Sequence, residues 1–251
     1  MTALSLVPSS PVVARRSRAS FPAQAWLEAR KSVSTRSGLA LVAVSAVLAP
    51  IVLAVVAAAS SEPLDSVVGP LVVTGMLTSL ALISLGVLAT AGEWTHGSVQ
   101  TTYLLEPRRS RVLAAKAVAV AAIGAVVAAV ADALGAGVLA LMEPSASWSG
   151  AGRAIAMIAV AGAAFSLIGA GVGAALGNTP AALTGLYLVN LGVLPLLQTF
   201  KPALADKIDP GNAVLSLAQG DKTALSITIL AVWVGVALVA GTVMSRKRQV
   251  Q

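Results

Sequence analysis

The chain has no cysteine, which excludes disulfides, thiolate chemistry and Cys-ligated metals. It has one histidine, His96, and a single acid, Asp132, in the middle of an apolar run. An enzyme working inside a membrane needs a nucleophile with a base, a metal cluster or paired acids, and this inventory supplies none of them. Charge is scarce: 11% of the 251 residues are Asp, Glu, Lys or Arg, against about 25% in soluble globular chains. No G-x-x-x-x-G-K-[ST] occurs, so the chain is not expected to bind ATP through a P-loop. Gly169, Gly171 and Gly173 do not form a G-x-G-x-x-G motif, because Ala174 and Leu176 occupy its last position in the two registers. They read as helix-packing glycines. Apolar–polar alternation of period two is also missing, which disfavours a membrane barrel.

What is present is apolar length. Hydrophobic residues make up 57% of the chain and collect in six runs, at about residues 39–60, 69–91, 112–142, 154–176, 181–197 and 223–244. Runs of roughly 20 residues match a hydrocarbon core about 30 Å thick. With no water there to satisfy the backbone, such runs must be helices. The expected fold is an all-α polytopic membrane protein with six transmembrane helices, residues 38–245 forming the transmembrane domain. Residues 1–20, rich in Pro, Ser and Arg, read as a disordered basic tail. Arg15-Arg16 is a twin arginine, but no apolar core follows it and no cleaved signal peptide is expected. Residues 21–37 predict an amphipathic interfacial helix, with Trp26, Ala29 and Val33 on one face and Arg30, Lys31 and Arg36 beside it. An irregular basic tail is the plain alternative. Residues 246–251 close the chain as a second basic tail.

Several local signals refine the spans. Pro50 predicts a kink in the first, and Pro195 a disturbance at the end of the fifth. Gly75, Ser79, Gly86 and Thr90 in the second span, and Gly162, Ser166, Gly169, Gly173 and Gly177 in the fourth, form small-residue stripes through which helices approach closely. Asn178-Thr179-Pro180 reads as a tight turn with a cap for the fifth span. Asp209-Pro210-Gly211-Asn212 reads as a turn. Residues 213–218 predict a small helical segment between spans five and six.

Basic residues set the expected orientation. Six spans place both termini on one side, together with the 92–111 connection. Thirteen of the 17 Lys and Arg then lie there; Arg153, Lys201, Lys207 and Lys222 lie opposite. By the positive-inside rule both termini are cytoplasmic, and the segment between spans five and six is extracellular. The net charge of +7 follows from this distribution and does not indicate nucleic acid. Trp26, Arg30, Lys31, Arg108, Arg109, Arg111 and Lys116 are expected as anchors at the lipid headgroups. Asp132, Asn190, Thr74 and Thr78 are polar side chains within spans and candidates for a substrate path or for helix packing. Asp132 in particular can serve either a structural hydrogen bond or the path.

The polar island at 92–111 carries the most information. Glu93-Trp94-Thr95-His96-Gly97-Ser98, then Leu104-Leu105-Glu106-Pro107-Arg108-Arg109-Ser110-Arg111 and Lys116, resembles the loop after the second span in permease subunits of type-2 ABC exporters. Thr95 stands where that family often has Arg, and Ser98 where it often has Thr. The likeness in layout extends over nearly the whole chain, whereas the motif covers residues 92–116. The resemblance implies a short cytoplasmic coupling helix between spans two and three, carried by Glu93, Trp94, Gly97, Ser98, Val99, Thr102 and Tyr103. It also implies two separate P-loop ATPase subunits that bind ATP and Mg, a second permease subunit, identical or homologous, and a place in the bacterial plasma membrane. No cofactor and no catalytic activity are expected on this chain. The exported substrate would be amphipathic: a drug, lipid or antimicrobial peptide. Locally, Gly97-Ser98 reads as a break and cap before a short helix that Pro107 stops. Two other readings remain: an ion-coupled carrier using Asp132, and a non-transporting immunity or scaffold protein.

Overall fold

A computed structural model describes residues 20–60 and 62–248. The expected tail at 1–19, with Arg15 and Arg16, lies outside them. Ser20 opens α1 (Phe21–Ser34), its hydroxyl accepting from the Ala23 amide. Thr35 then caps α2 (Arg36–Ala59), accepting from Gly38 at 3.1 Å. α3 (Val68–Thr95) leads into the short α4 (Val99–Leu105). α5 (Arg109–Met142) and α6 (Ala151–Leu176) follow. The next run divides into α7 (Thr179–Leu188), a π-helical turn (Val189–Val193) and α8 (Leu194–Phe200). Two short helices, α9 (Pro202–Ile208) and α10 (Pro210–Gln219), precede α11 (Thr223–Lys247). Six helical stretches are long and apolar enough to cross a membrane, in agreement with the six expected runs. Among the described residues no strand forms; a single bridge joins Ser66 to Ser147.

α6 is the central helix, packing on α3, α5 and α11. Its small residues let the backbones meet. A Cβ at Gly86 would run into the Ser166 carbonyl and the Ala170 amide, and one at Gly169 into the Ile83 carbonyl. Gly162 faces Gly124 on α5, and Gly171 faces Ala237 on α11. At this range Thr90 Oγ1 donates to the Ala170 carbonyl at 3.0 Å and Ser166 Oγ to that of Leu82 at 3.3 Å. Gly86 and Thr90 thus meet Ser166, Ala170 and Gly173 in the contact between the second and fourth spans, whereas Gly162 turns to α5 and Gly177, expected in the stripe, ends α6.

Several expectations need correction. Pro50 lies inside α2, which continues on both sides of it. Pro195 acts further upstream than its own position. Its missing amide and its ring cannot fit an α-turn against the carbonyl four residues back. The chain widens there into the π-turn, where the Leu194 amide donates to Val189. Asp209 starts a helix where a turn was expected: its Oδ1 accepts from Gly211 at 2.7 Å and caps α10. Burial pushes the Asp209 carboxyl up, and the Gly211 and Asn212 amides partly offset that. α10 is longer than the expected 213–218 segment and buries Ala213, Val214 and Leu217. α9 is a further helix in the connection between the fifth and sixth spans.

Candidate functional site

The polar island folds as a helix–turn–helix corner. The His96 amide donates to Gly92 and the Gly97 amide to Trp94, closing α3. Gly97 has φ of +69°, a left-handed conformation that side chains disfavour, so the break falls there. Ser98 is not the side-chain cap expected from its hydroxyl. It has helical dihedrals and makes no capping side-chain bond. Thr95 ties the corner to α7, its hydroxyl 3.1 Å from that of Thr179.

α4 has two faces. Val99 is buried, and Tyr103, one turn on, meets Trp94 edge-to-face with centroids 6.3 Å apart. The Arg109 guanidinium lies 4.9 Å from the Tyr103 ring and that of Arg248 lies 5.0 Å from the Trp94 ring. Burial pushes the Tyr103 phenol up, with Arg109 pulling against it. Of the expected coupling residues, Val99, Trp94 and Tyr103 thus hold α4 to the bundle, Thr102 is half-buried, and Gly97 and Ser98 are exposed. The outward face is Gln100, Thr101 and Leu104, with Leu104 83% exposed. Helical spacing carried that division, since positions 99 and 103 share a face opposite 101 and 104.

Four of the expected headgroup anchors, Arg109, Lys116, Lys31 and Arg111, make contacts within the protein. Arg109 donates to the carbonyls of Ser245 at 2.7 Å and Arg248 at 2.6 Å, fastening α5 to the end of α11. Lys116 is 6% exposed and lies between two carboxylates, 2.5 Å from Glu28 and 2.7 Å from Glu93. The reason is local: an ammonium inside a helix bundle must pair with acids. Lys31 completes a quartet, 2.9 Å from Glu93 and 3.0 Å from Glu28. Burial alone would lower the Lys31 ammonium; the hydrogen bond and charge of Glu93, then those of Glu28, outweigh it and hold it above the ordinary lysine range. A raised lysine contributes at and below neutral pH, and its contribution is lost as rising pH passes the raised value. Arg111 pairs with Glu106 at 3.6 Å. Arg30, Arg108 and Trp26 are exposed.

The quartet joins α1, α3 and α5. Glu28 is the member of the quartet that the sequence did not single out, a buried carboxylate outside the membrane spans. A faint signal was available: Ala25, Glu28 and Ser32 share one face, so α1 presents a carboxylate on its inward side. Beside the quartet lies a cleft of about 440 Å³, bounded by α1, the start of α2, the end of α3 and Lys116.

The polar residues within the spans separate into two kinds. Thr74 and Thr78 are buried and return their hydroxyls to their own helix, at 2.9 Å to Pro70 and 3.1 Å to Thr74. That is packing. Asn190 sits in the π-turn and donates to Leu186 at 2.9 Å. Asp132 is fully buried, and neither carboxylate oxygen has a hydrogen-bond partner. A structural hydrogen bond, expected as one of its two roles, is absent among the described residues. An unsatisfied buried polar group costs about 1–3 kcal/mol. Asp132→Leu is therefore expected to raise stability by that order, read from unfolding in mixed micelles; a loss would show a compensating partner.

Comparison with protein-family models and with curated proteins gives no match. Fold and composition define the class on their own: a multi-pass helical membrane protein. Among the described residues no group of three His, Cys, Asp or Glu is placed to hold a metal ion.

Proposed function

We propose that this chain is the membrane-spanning permease subunit of an ATP-driven exporter of the type-2 ABC class, in a bacterial plasma membrane. It would pair with a second permease subunit, identical or homologous, and dock two P-loop ATPase subunits, which bind ATP and Mg. The basic end of the bundle would face the cytoplasm and the α9–α10 end the outside. The exported substrate would be amphipathic: a drug, lipid or antimicrobial peptide.

The observation that carries this reading is α4. It is a seven-residue helix set between a left-handed glycine and Pro107. Its inner face is fastened by aromatic and arginine contacts, and its outer face carries an exposed leucine. A helix fastened on one side and presenting Leu104 between polar neighbours on the other suits a groove on a second protein. The Glu93–Lys116–Glu28 contacts tie the end of α3, from which α4 turns, to α1 and α5.

Purification of the full-length chain from its native membrane tests the reading. A P-loop ATPase is expected in near-equal amount. Leu104→Asp is expected to weaken that association at least about tenfold, the weight of a buried interface leucine, while leaving the melting of the membrane subunit unchanged. Recovery of the chain with no ATPase would overturn the proposal.

A second reading, an ion-coupled carrier, rests on the orphaned carboxylate of Asp132. Its test is gradient-driven transport by the lone protein in vesicles, abolished in Asp132→Asn.

A further inference from the structure

One stripe of α3 changes character along the cleft at the basic end. Leu85, Leu88 and Ala89 line its inner half, and Glu93 and His96 its outer half. These positions recur at helical spacing, so they lie on one face and span about 16 Å along the axis. The opposite wall is the corner between α1 and α2, with Thr35 and Ser37. The volume of about 440 Å³ falls within the range of about 300–1,000 Å³ usual for small-molecule sites. An apolar half continuous with a polar half over this length matches the join between an acyl chain and its headgroup.

The polar half has an unusual balance. Two lysines and two glutamates bring no net charge, so neither a simple anion nor a simple cation is favoured. Hydrogen bonding is not fully used. Glu93 accepts both ammonium groups on Oε1, at 2.9 and 2.7 Å, while its Oε2 has no partner among the described residues. The Ser37 and Ser98 hydroxyls on the rim also make no hydrogen bond there. Lys31 is about half exposed and spends two of its three N–H donors on carboxylates. The cleft thus offers one open carboxylate oxygen for a donor cation and, separately, an ammonium and hydroxyls for an anion.

We infer that this cleft binds the headgroup of a phosphatidylethanolamine from the surrounding bilayer. The primary ammonium donates to Glu93 Oε2, the phosphate lies toward Lys31 and the Ser37 and Ser98 hydroxyls, and the first part of an acyl chain lies along Leu85, Leu88 and Ala89. A choline headgroup has no N–H to donate, and a glycerol headgroup has no cation, so each leaves one half of the site unmet. This inference rests on the chain being a membrane protein and is independent of the exporter reading, because no ATPase enters it.

The test is lipid retention by the full-length protein in detergent. The protein is offered equal amounts of dioleoyl phosphatidylethanolamine, phosphatidylcholine and phosphatidylglycerol, with soluble phosphoethanolamine in a parallel arm, and bound lipid is read by native mass spectrometry. Phosphatidylethanolamine is expected to be held about tenfold better than the other two, the weight of one charge-assisted hydrogen bond. Ala89→Phe, which fills the apolar half without touching the four charges, is expected to abolish the preference while the protein elutes and melts as before. Leu88→Phe serves the same purpose should the first variant fail to fold. Equal retention of the three lipids by the unaltered protein, or a preference unchanged in a folded cleft-filling variant, would overturn the inference. Displacement of the lipid by an equal concentration of phosphoethanolamine would overturn the lipid as the source.

Discussion

Replacing Lys116 by methionine is expected to lower the stability of the bundle by about 3–5 kcal/mol, the usual cost of removing one member of a buried ion pair. The lysine contributes little by its own attraction, since its desolvation offsets most of that. The cost comes from the carboxylates left behind. Glu28 is 7% exposed and Glu93 only partly exposed, and both direct an oxygen at the Lys116 ammonium. Without it, Lys31 alone must serve both acids from a half-exposed position. The remedy open to the protein is to release Glu28 to water, and Glu28 lies on α1. Detachment of α1 is the expected response, visible as new tryptic cleavage after Arg30 and Lys31 as well as in an unfolding midpoint. The double variant Glu28→Gln with Lys116→Met leaves one acid fewer to satisfy and is expected to recover part of the loss. If the single variant unfolds like the native protein and α1 stays protected, the quartet is not what holds that helix.

Gly86→Val is the second large effect, about 3 kcal/mol or more, at the upper end of overpacking costs. The atoms that a side chain would strike are backbone atoms of Ser166 and Ala170, which cannot swing aside as a side-chain tip would. Relief requires α3 and α6 to separate, and separation also breaks the Thr90 and Ser166 hydrogen bonds that cross the same seam. Gly137 and Gly235 are the internal controls. Both lie inside helices with nothing near the position of an added methyl group. Gly137→Ala and Gly235→Ala are expected to stabilise by about 0.5–1 kcal/mol, since alanine gives up less backbone freedom on folding. Unfolding curves in one detergent for the three variants check the contrast. A loss at Gly137 equal to that at Gly86 would mean that the cost lies in the helix itself and not in the seam.

The membrane helices were legible because their signal is local: an apolar run and its length decide each one. The stripes of Gly86 and Gly169 were legible for the same reason, as small residues repeat at helical spacing within one segment. The quartet was not, because Lys116 finds Glu28 across 88 residues and Glu93 across 23. Nothing near Lys116 distinguishes a lysine that pairs inward from one that reaches a headgroup, and the same holds for Arg109. α9 escaped because Pro202 and its charged neighbours resemble a loop, although proline costs little at a helix start. Around α4 the break at Gly97 was plain and the end at Pro107 was plain. The outward face was implicit in the spacing, but only the folded corner showed that Trp94 and Tyr103 are taken up by arginines.

The tight contact along α6 has a consequence for leakage. Where Gly86 meets Ser166, Gly169 meets Ile83 and Gly162 meets Gly124, the gap between backbones does not admit a methyl group. A water molecule is no smaller, so no file of waters can follow these seams from one side of the membrane to the other. Protons hop along such files. The α3–α6 and α5–α6 seams therefore offer protons no such path.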